Sequence, residues 1–170
     1  MNGVTFIPDF IDHAAELYQF LHDHADWETS MAARKTVSYG KAYNYSQMSY
    51  PERQFIPEIA RLLESITQAL CFTPNNCLIN YYLDGKSKMG YHSDQTEILC
   101  NDTGIAILSV GETRTLRFRN IQDKTLIVDY DLSAGSLIYM TQQLQQEWQH
   151  AIPAMDTLNG RMSLTFRQIR

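Results

Sequence analysis

A chain of 170 residues, 44% hydrophobic and 19% charged, is long enough to bury one core without staples and too apolar for disorder. One globular domain is therefore expected. The net charge of −5 argues against broad affinity for phosphate backbones but leaves room for a local basic patch.

Cys71, Cys77 and Cys100 have no C-x-x-C spacing, which excludes a disulfide framework or a zinc ribbon and fits a reducing, cytoplasmic setting. No basic stretch leading into a long apolar run opens the sequence, and no run of about 18 apolar residues occurs. Neither a secretory signal nor a membrane span is expected.

Phe6-Ile7-Pro8 reads as a short extended segment. Asp12 then caps a helix whose Ala14, Leu17, Tyr18 and Leu21 recur at the spacing of one buried face. At its end, His24-Ala25-Asp26 spells H-x-D. Residues two apart on a helix diverge by roughly 200°, so these side chains should not converge. Residues 27–50 are aromatic and polar without a clear period, and read as short hairpin strands or a covering loop. A second helix carries Ile56, Ile59, Leu63, Ile66 and Leu70, with Pro57 in its first turn, where a missing N–H costs little.

Beyond Pro74 the pattern changes to short β-branched and aromatic runs at 77–83, 90–94, 104–110, 113–119, 124–130, 136–141, 148–152 and 161–168. Turn signals such as Asp84-Gly85, Asn101-Asp102, Ala134-Gly135 and Asn159-Gly160 separate them. Within 113–119 the alternation holds except at Arg114, which suggests a twist or bulge. Eight closely spaced strands indicate a sandwich, jelly roll or barrel. No repeat, low-complexity segment or linker divides the chain.

His92 and Asp94, two apart on a strand, would share a face, because side chains alternate with period 2. A third ligand would complete the two-histidine, one-carboxylate face that holds non-haem Fe(II) and leaves positions open. His150, on a late strand, is the candidate. An H-x-D alone is a weak signal, and the last strand adds an independent one. Arg161, Ser163, Thr165 and Arg167 share one face of it, and Met162, Leu164 and Phe166 the other. Two guanidinium groups on one face suit a small dicarboxylate, since the planar fork of arginine pairs bidentately with carboxylate.

These motifs resemble the AlkB-type Fe(II)/2-oxoglutarate dioxygenases. Arg161-x-Ser163-x-Thr165-Phe166-Arg167 is similar to that family's R-x-N-x-T-F-R, and Asn80-Tyr81-Tyr82-Leu83-Asp84-Gly85 to its N-x-Y-x-x-G. With His92-x-Asp94 and His150, four motifs stand in family order over residues 80–167. The resemblance implies a mainly β (α+β) fold: a double-stranded β-helix, or jelly roll, with two N-terminal helices packed outside. It implies one domain over 1–170, with helices and a nucleotide-recognition segment in 1–75 and the jelly-roll core in 76–170. It further implies that His92, Asp94 and His150 bind Fe(II) as the catalytic centre, while Asn80, Tyr82, Arg161, Ser163 and Arg167 hold the co-substrate 2-oxoglutarate.

Upstream, Arg34-Lys35-Thr36-Val37-Ser38-Tyr39-Gly40 and Tyr43-Asn44-Tyr45-Ser46 look like the nucleotide-recognition segment of the animal DNA-repair AlkB homologues. By that resemblance Tyr39, Tyr43, Tyr45 and Ser46 contact substrate, with Tyr45 stacking on a flipped base. The activity implied is oxidative N-dealkylation, with O2, of alkylated bases in DNA or RNA by a monomer that needs no membrane. Two departures stand out. Ser163 replaces the usual Asn, which shortens one hydrogen-bonding arm. Little chain separates Trp27 from Arg34, too little for the wedge hairpin with which duplex-repairing relatives replace an extruded base, so single strands are favoured. A hydroxylase or demethylase of a protein, lipid or small molecule is the second reading, and a non-catalytic binding module the third.

Overall fold

The computed structural model describes residues 1–29, 34–45 and 48–170, with only the backbone of Tyr45 included. In chain order the elements are β1 (Val4–Ile7), α1 (Ala14–His24), β2 (Lys35–Gly40), β3 (Tyr43–Tyr45), β4 (Met48–Tyr50) and α2 (Pro57–Leu70). There follow β5 (Asn76–Tyr82), β6 (Met89–His92), β7 (Ile105–Gly111), β8 (Arg114–Asn120), β9 (Ile127–Leu132) and β10 (Leu137–Met140). A one-turn helix α3 (Leu144–Glu147), β11 (Trp148–Ile152) and β12 (Arg161–Arg167) complete the chain.

Two antiparallel sheets carry the architecture. One has the order β1-β10-β7-β12-β5-β2 and the other β6-β11-β8-β9, with β3 and β4 paired as a separate ribbon. From β5 to β12 the chain deals its strands between the two sheets, so neighbours in space are distant in sequence. This is the jelly-roll pattern, and it lets β12 lie between β5 and β7.

The inner strands β7, β12 and β5 of the larger sheet are buried on both faces. Val37, Ile79, Leu108, Val110, Met162, Leu164 and Phe166 face a layer formed by Leu17 and Leu21 of α1 and Ile59, Leu62 and Ile66 of α2. Between the sheets, Ile105, Ile107, Leu116, Phe118, Ile138 and Ile152 form a second apolar cluster. That inter-sheet space turns polar at one end, where the pocket lies.

Three expectations are corrected. Asp12 does not cap α1: the cap position falls at His13, no side chain caps the helix, and the Asp12 carboxylate lies 3.3 Å from the His13 ring instead. Strand β6 stops at His92, so Asp94 lies just beyond it. Arg114 marks no bulge, since β8 and β9 keep unbroken register from Arg114 to Arg119. It is in phase with Leu116 and Phe118 and points inward, 1% exposed. Its guanidinium can be buried because it donates to the carbonyls of Asp84 (3.3 Å), Ser87 (2.8 Å) and Pro153 (2.9 Å), tying the β5–β6 and β11–β12 connections together.

His24 and Asp26 do not converge, though not by helical divergence: α1 ends at His24 and Ala25 is extended, so Asp26 lies outside the helix. His24 packs on Phe20, with ring centres 4.8 Å apart, and Asp26 pairs with Arg53 at 3.1 Å.

Replacing Arg114 with Leu should take the guanidinium donor from the Ser87 and Pro153 carbonyls, while Asp84 keeps the Ser87 N–H, and destabilise the fold by about 2–4 kcal/mol. Urea unfolding followed by circular dichroism measures this. A change below about 0.5 kcal/mol, the range of an ordinary surface substitution, would refute the structural role.

Candidate active site

His92 ends β6 and His150 lies opposite it in β11, with ring centres 4.4 Å apart. Asp94 joins them without a backbone ladder. Ser93 Oγ donates to the Trp148 carbonyl (3.1 Å), and the Asp94 N–H donates to Gln145 Oε1 (2.9 Å) from α3. These side-chain bonds hold the chain beyond the strand, and Asp94 Oδ1 sits 3.4 Å from Nε2 of each histidine. All three donor atoms lie within 4.8 Å of one another, the one such cluster among the described residues.

His92 Nδ1 is 2.9 Å from the Gly90 carbonyl and holds a proton toward it, which makes Nε2, on the Asp94 side, the atom a metal would take in place of a proton. Burial lowers the His150 pKa, despite Asp94, and favours neutral imidazole. For His92 burial acts the same way, but Asp94 and the Gly90 carbonyl outweigh it and the pKa is raised. Burial would raise the Asp94 pKa, yet the Arg167 guanidinium and both histidines hold it well below the usual carboxylate range. Its second oxygen accepts from Arg167 Nη2 at 2.6 Å. With both Nε2 atoms deprotonated, two imidazole nitrogens and one ionised oxygen on one side of a small space would form the donor set that Fe(II) takes.

The pocket wall opposite the small sheet is a polar row across four strands: Thr36, Asn80, Ser163 and Ser109 are successive partners on β2, β5, β12 and β7. Arg161 stands one step along, 1% exposed, and donates from Nη2 to Ser109 Oγ (2.8 Å), with its guanidinium carbon 5.3 Å from the centre of the Tyr82 ring. Burial lowers its pKa to about 10, which leaves it charged at neutral pH. Its Nε has no partner, and no carboxylate pairs with it among the described residues. A buried cation with an unmatched donor fits one end of an anionic ligand.

The upstream segment divides. Tyr43 lines the pocket, with its ring stacked on Tyr50 (centres 6.4 Å apart) and its centre 4.8 Å from the Arg167 guanidinium carbon. Tyr39 faces the other way, into the helix-covered core, and so drops out of the substrate-contact set. Gly40, at φ +87°, separates the two, because a left-handed residue breaks the strand's alternation. Tyr45 belongs to β3 by its backbone, while its side chain and Ser46 lie outside the described residues.

Sequence reasoning missed several participants. Gln145 and Ser109 act across strand connections that no local pattern shows. Arg34, treated only as part of a motif, lines the pocket and donates to Asn80 Oδ1 at 3.1 Å.

Arg167→Leu should remove the brace from Asp94 and weaken Mn(II) binding by about 10- to 100-fold, as other partners of metal ligands do. Calorimetric titration checks this, and unchanged affinity would show that Asp94 needs no brace.

The comparisons with known proteins agree with the geometry. Residues 8–167 match the family model of the 2OG-Fe(II) oxygenase superfamily. The mouse protein named alpha-ketoglutarate-dependent dioxygenase alkB homolog 3 is 29% identical over 191 aligned positions, covering 99% of this chain and 67% of that protein. The human protein named DNA oxidative demethylase ALKBH2 is 28% identical over 179 positions, covering 92% of this chain and 69% of that one. The chain thus spans about two thirds of the length of these relatives. The solved structure titled "The structure of OsALKBH1" superposes with a TM-score of 0.74 at 16% identity, covering 99% of each chain, and shares the fold. The four motifs and the site they form are accounted for together: the chain belongs to the 2OG-Fe(II) oxygenase superfamily, as an AlkB-like member that uses Fe(II) and 2-oxoglutarate.

Proposed function

We propose that the protein is an oxidative dealkylase of alkylated nucleic-acid bases and prefers single strands. The observation that carries this reading is the co-location, in one pocket, of the His92–Asp94–His150 cluster, the unmatched cation of Arg161 and a wall from the upstream tyrosine segment. When bound, iron with 2-oxoglutarate and O2 supplies the oxidant that hydroxylates an N-alkyl carbon, while the co-substrate leaves as succinate and CO2.

The chain's own residues bind and orient. His92, Asp94 and His150 would hold the metal. Arg161 would take one carboxylate of the co-substrate, assisted by Asn80 and Tyr82. Ser163 faces the same space with a short arm. Arg167, bonded to Asp94, stands at the metal end. Apolar Leu116, Ile107 and Ile152 line the pocket and exclude water. The hydroxylated substrate carbon departs as an aldehyde and restores the base.

Tyr45, by the resemblance, presents a ring to the base, with Tyr43 beside it. Only residues 28–33 separate Trp27 from Arg34 in the sequence, and so little chain leaves little room for a wedge hairpin. Stacking is worth about 1–3 kcal/mol per base, which suffices for an unpaired base. Extruding a paired base costs a few kcal/mol, and without a wedge little compensates for that.

Iron-dependent succinate release should rise when a methylated single-stranded oligonucleotide is added, and rise less with the matched duplex. Tyr45→Ala should lower turnover of the single strand by roughly 5- to 100-fold, while 2-oxoglutarate consumption without nucleic acid stays near wild type. Equal turnover of duplex, or normal single-strand turnover by the variant, would refute the single-strand and stacking assignments. No stimulation by any oligonucleotide would refute the substrate class.

A further inference from the structure

Arg34 stands at the start of β2, half-buried, where it touches three parts of the pocket at once. Its Nε donates to Asn80 Oδ1 (3.1 Å), and its Nη1 donates to the Lys88 carbonyl (2.9 Å), one residue before β6. Its guanidinium carbon lies 5.8 Å from the centre of the Tyr82 ring.

The bond to Asn80 has a directional consequence. Arginine can only donate, so the bonded atom of Asn80 must be its carbonyl oxygen. The amide NH2 then becomes the free end, and Asn80 lines the pocket beside Ser163. An amide held the other way would turn its oxygen on an incoming carboxylate and repel it. We propose that Arg34 is a positioning residue for the co-substrate: it fixes the Asn80 amide as a donor to 2-oxoglutarate and ties the upstream segment to the strand that carries His92. This rests on the reading that Asn80 holds the co-substrate.

Two features make the role consequential. Ser163 is a short side chain beside Asn80, so the wall offers few long-armed donors and the Asn80 amide is the long one on that row. The bond to the Lys88 carbonyl also fixes the approach of β6, whose far end is the metal ligand His92. Arg34 therefore joins the co-substrate wall, the metal strand and the segment leading to β3 and β4 through one side chain.

The test is a double-mutant cycle read by direct binding. Calorimetry measures 2-oxoglutarate affinity for Mn(II)-loaded wild type, Asn80→Ala, Arg34→Ala and the double variant, with thermal melting as a check on folding. Arg34→Ala should weaken 2-oxoglutarate binding by about 5- to 30-fold, as loss of a charge-assisted bond does, with Mn(II) affinity within about 3-fold of wild type. Once Asn80 is Ala, removing Arg34 should add little to the loss of 2-oxoglutarate affinity, because Arg34 reaches the co-substrate through Asn80, while its bond to the Lys88 carbonyl bears on β6. Arg34→Lys should recover part of the loss, since a lysine can still donate to Asn80.

If Asn80→Ala binds 2-oxoglutarate normally, the reading of Asn80 fails, and the inference with it. If Asn80→Ala weakens binding but Arg34→Ala does not, only the inference is overturned. Additive losses in the double variant would overturn it too. So would an Arg34→Ala variant whose one defect is in affinity for a single-stranded oligonucleotide, which would make Arg34 a phosphate contact.

Discussion

The buried contact between Asp94 and Arg167 is the constraint on which the site depends. A carboxylate this enclosed loses much of its hydration, and would take up a proton unless charge and hydrogen bonds replaced the water. Arg167 supplies both at 2.6 Å, leaving the other carboxylate oxygen for the histidine side. The pair is costly to bury and costly to break, since removing either partner leaves an uncompensated charge. Its worth lies in fixing one ionised oxygen at one place rather than in net stability.

That contact requires a strand near the end of the chain to lie beside a loop in its middle, and the jelly roll delivers this. Strand β12 runs between β5 and β7, so Arg161 and Arg167 project from one rigid strand into the space where β6 and β11 present their histidines. Alternation does the rest. On β12 the inward residues are polar and the outward ones, Met162, Leu164 and Phe166, are anchored by the helices. The same side-chain period that builds the core aims the two arginines.

Much of this was legible in the sequence, for a physical reason. The eight strands of the jelly roll and the two long helices follow from hydrophobic period, and their observed bounds lie within a few residues of those expected. The convergence of His92, Asp94 and His150 was legible because a two-residue spacing survives the early end of β6: Ser93 and Gln145 continue by side chains what the ladder began. What stayed hidden depends on contacts across the fold. Arg114 seemed out of phase because a charged residue is expected to face water, yet three carbonyls from two strand connections make its burial possible. Tyr39 and Tyr43, four apart, would share a face in an unbroken strand. The left-handed Gly40 between them sends one into the core and the other to the pocket.

Net charge proved the least informative number in the sequence, because the pocket has its own balance. The chain carries −5 overall. Within the pocket, Arg34, Arg161 and Arg167 face the single carboxylate of Asp94. The Arg167–Asp94 pair cancels to first order, which leaves the guanidinium groups of Arg34 and Arg161. A divalent metal adds two positive charges, and a dicarboxylate removes two. A positive excess remains in the pocket, and Lys86 and Lys88 are exposed on the β5–β6 connection. In a concave site with low-dielectric walls such an excess is focused rather than screened, so it can attract an anionic ligand to an acidic protein. Affinity for phosphate then depends on which residues rim the pocket, and the sign of the whole chain says little about it.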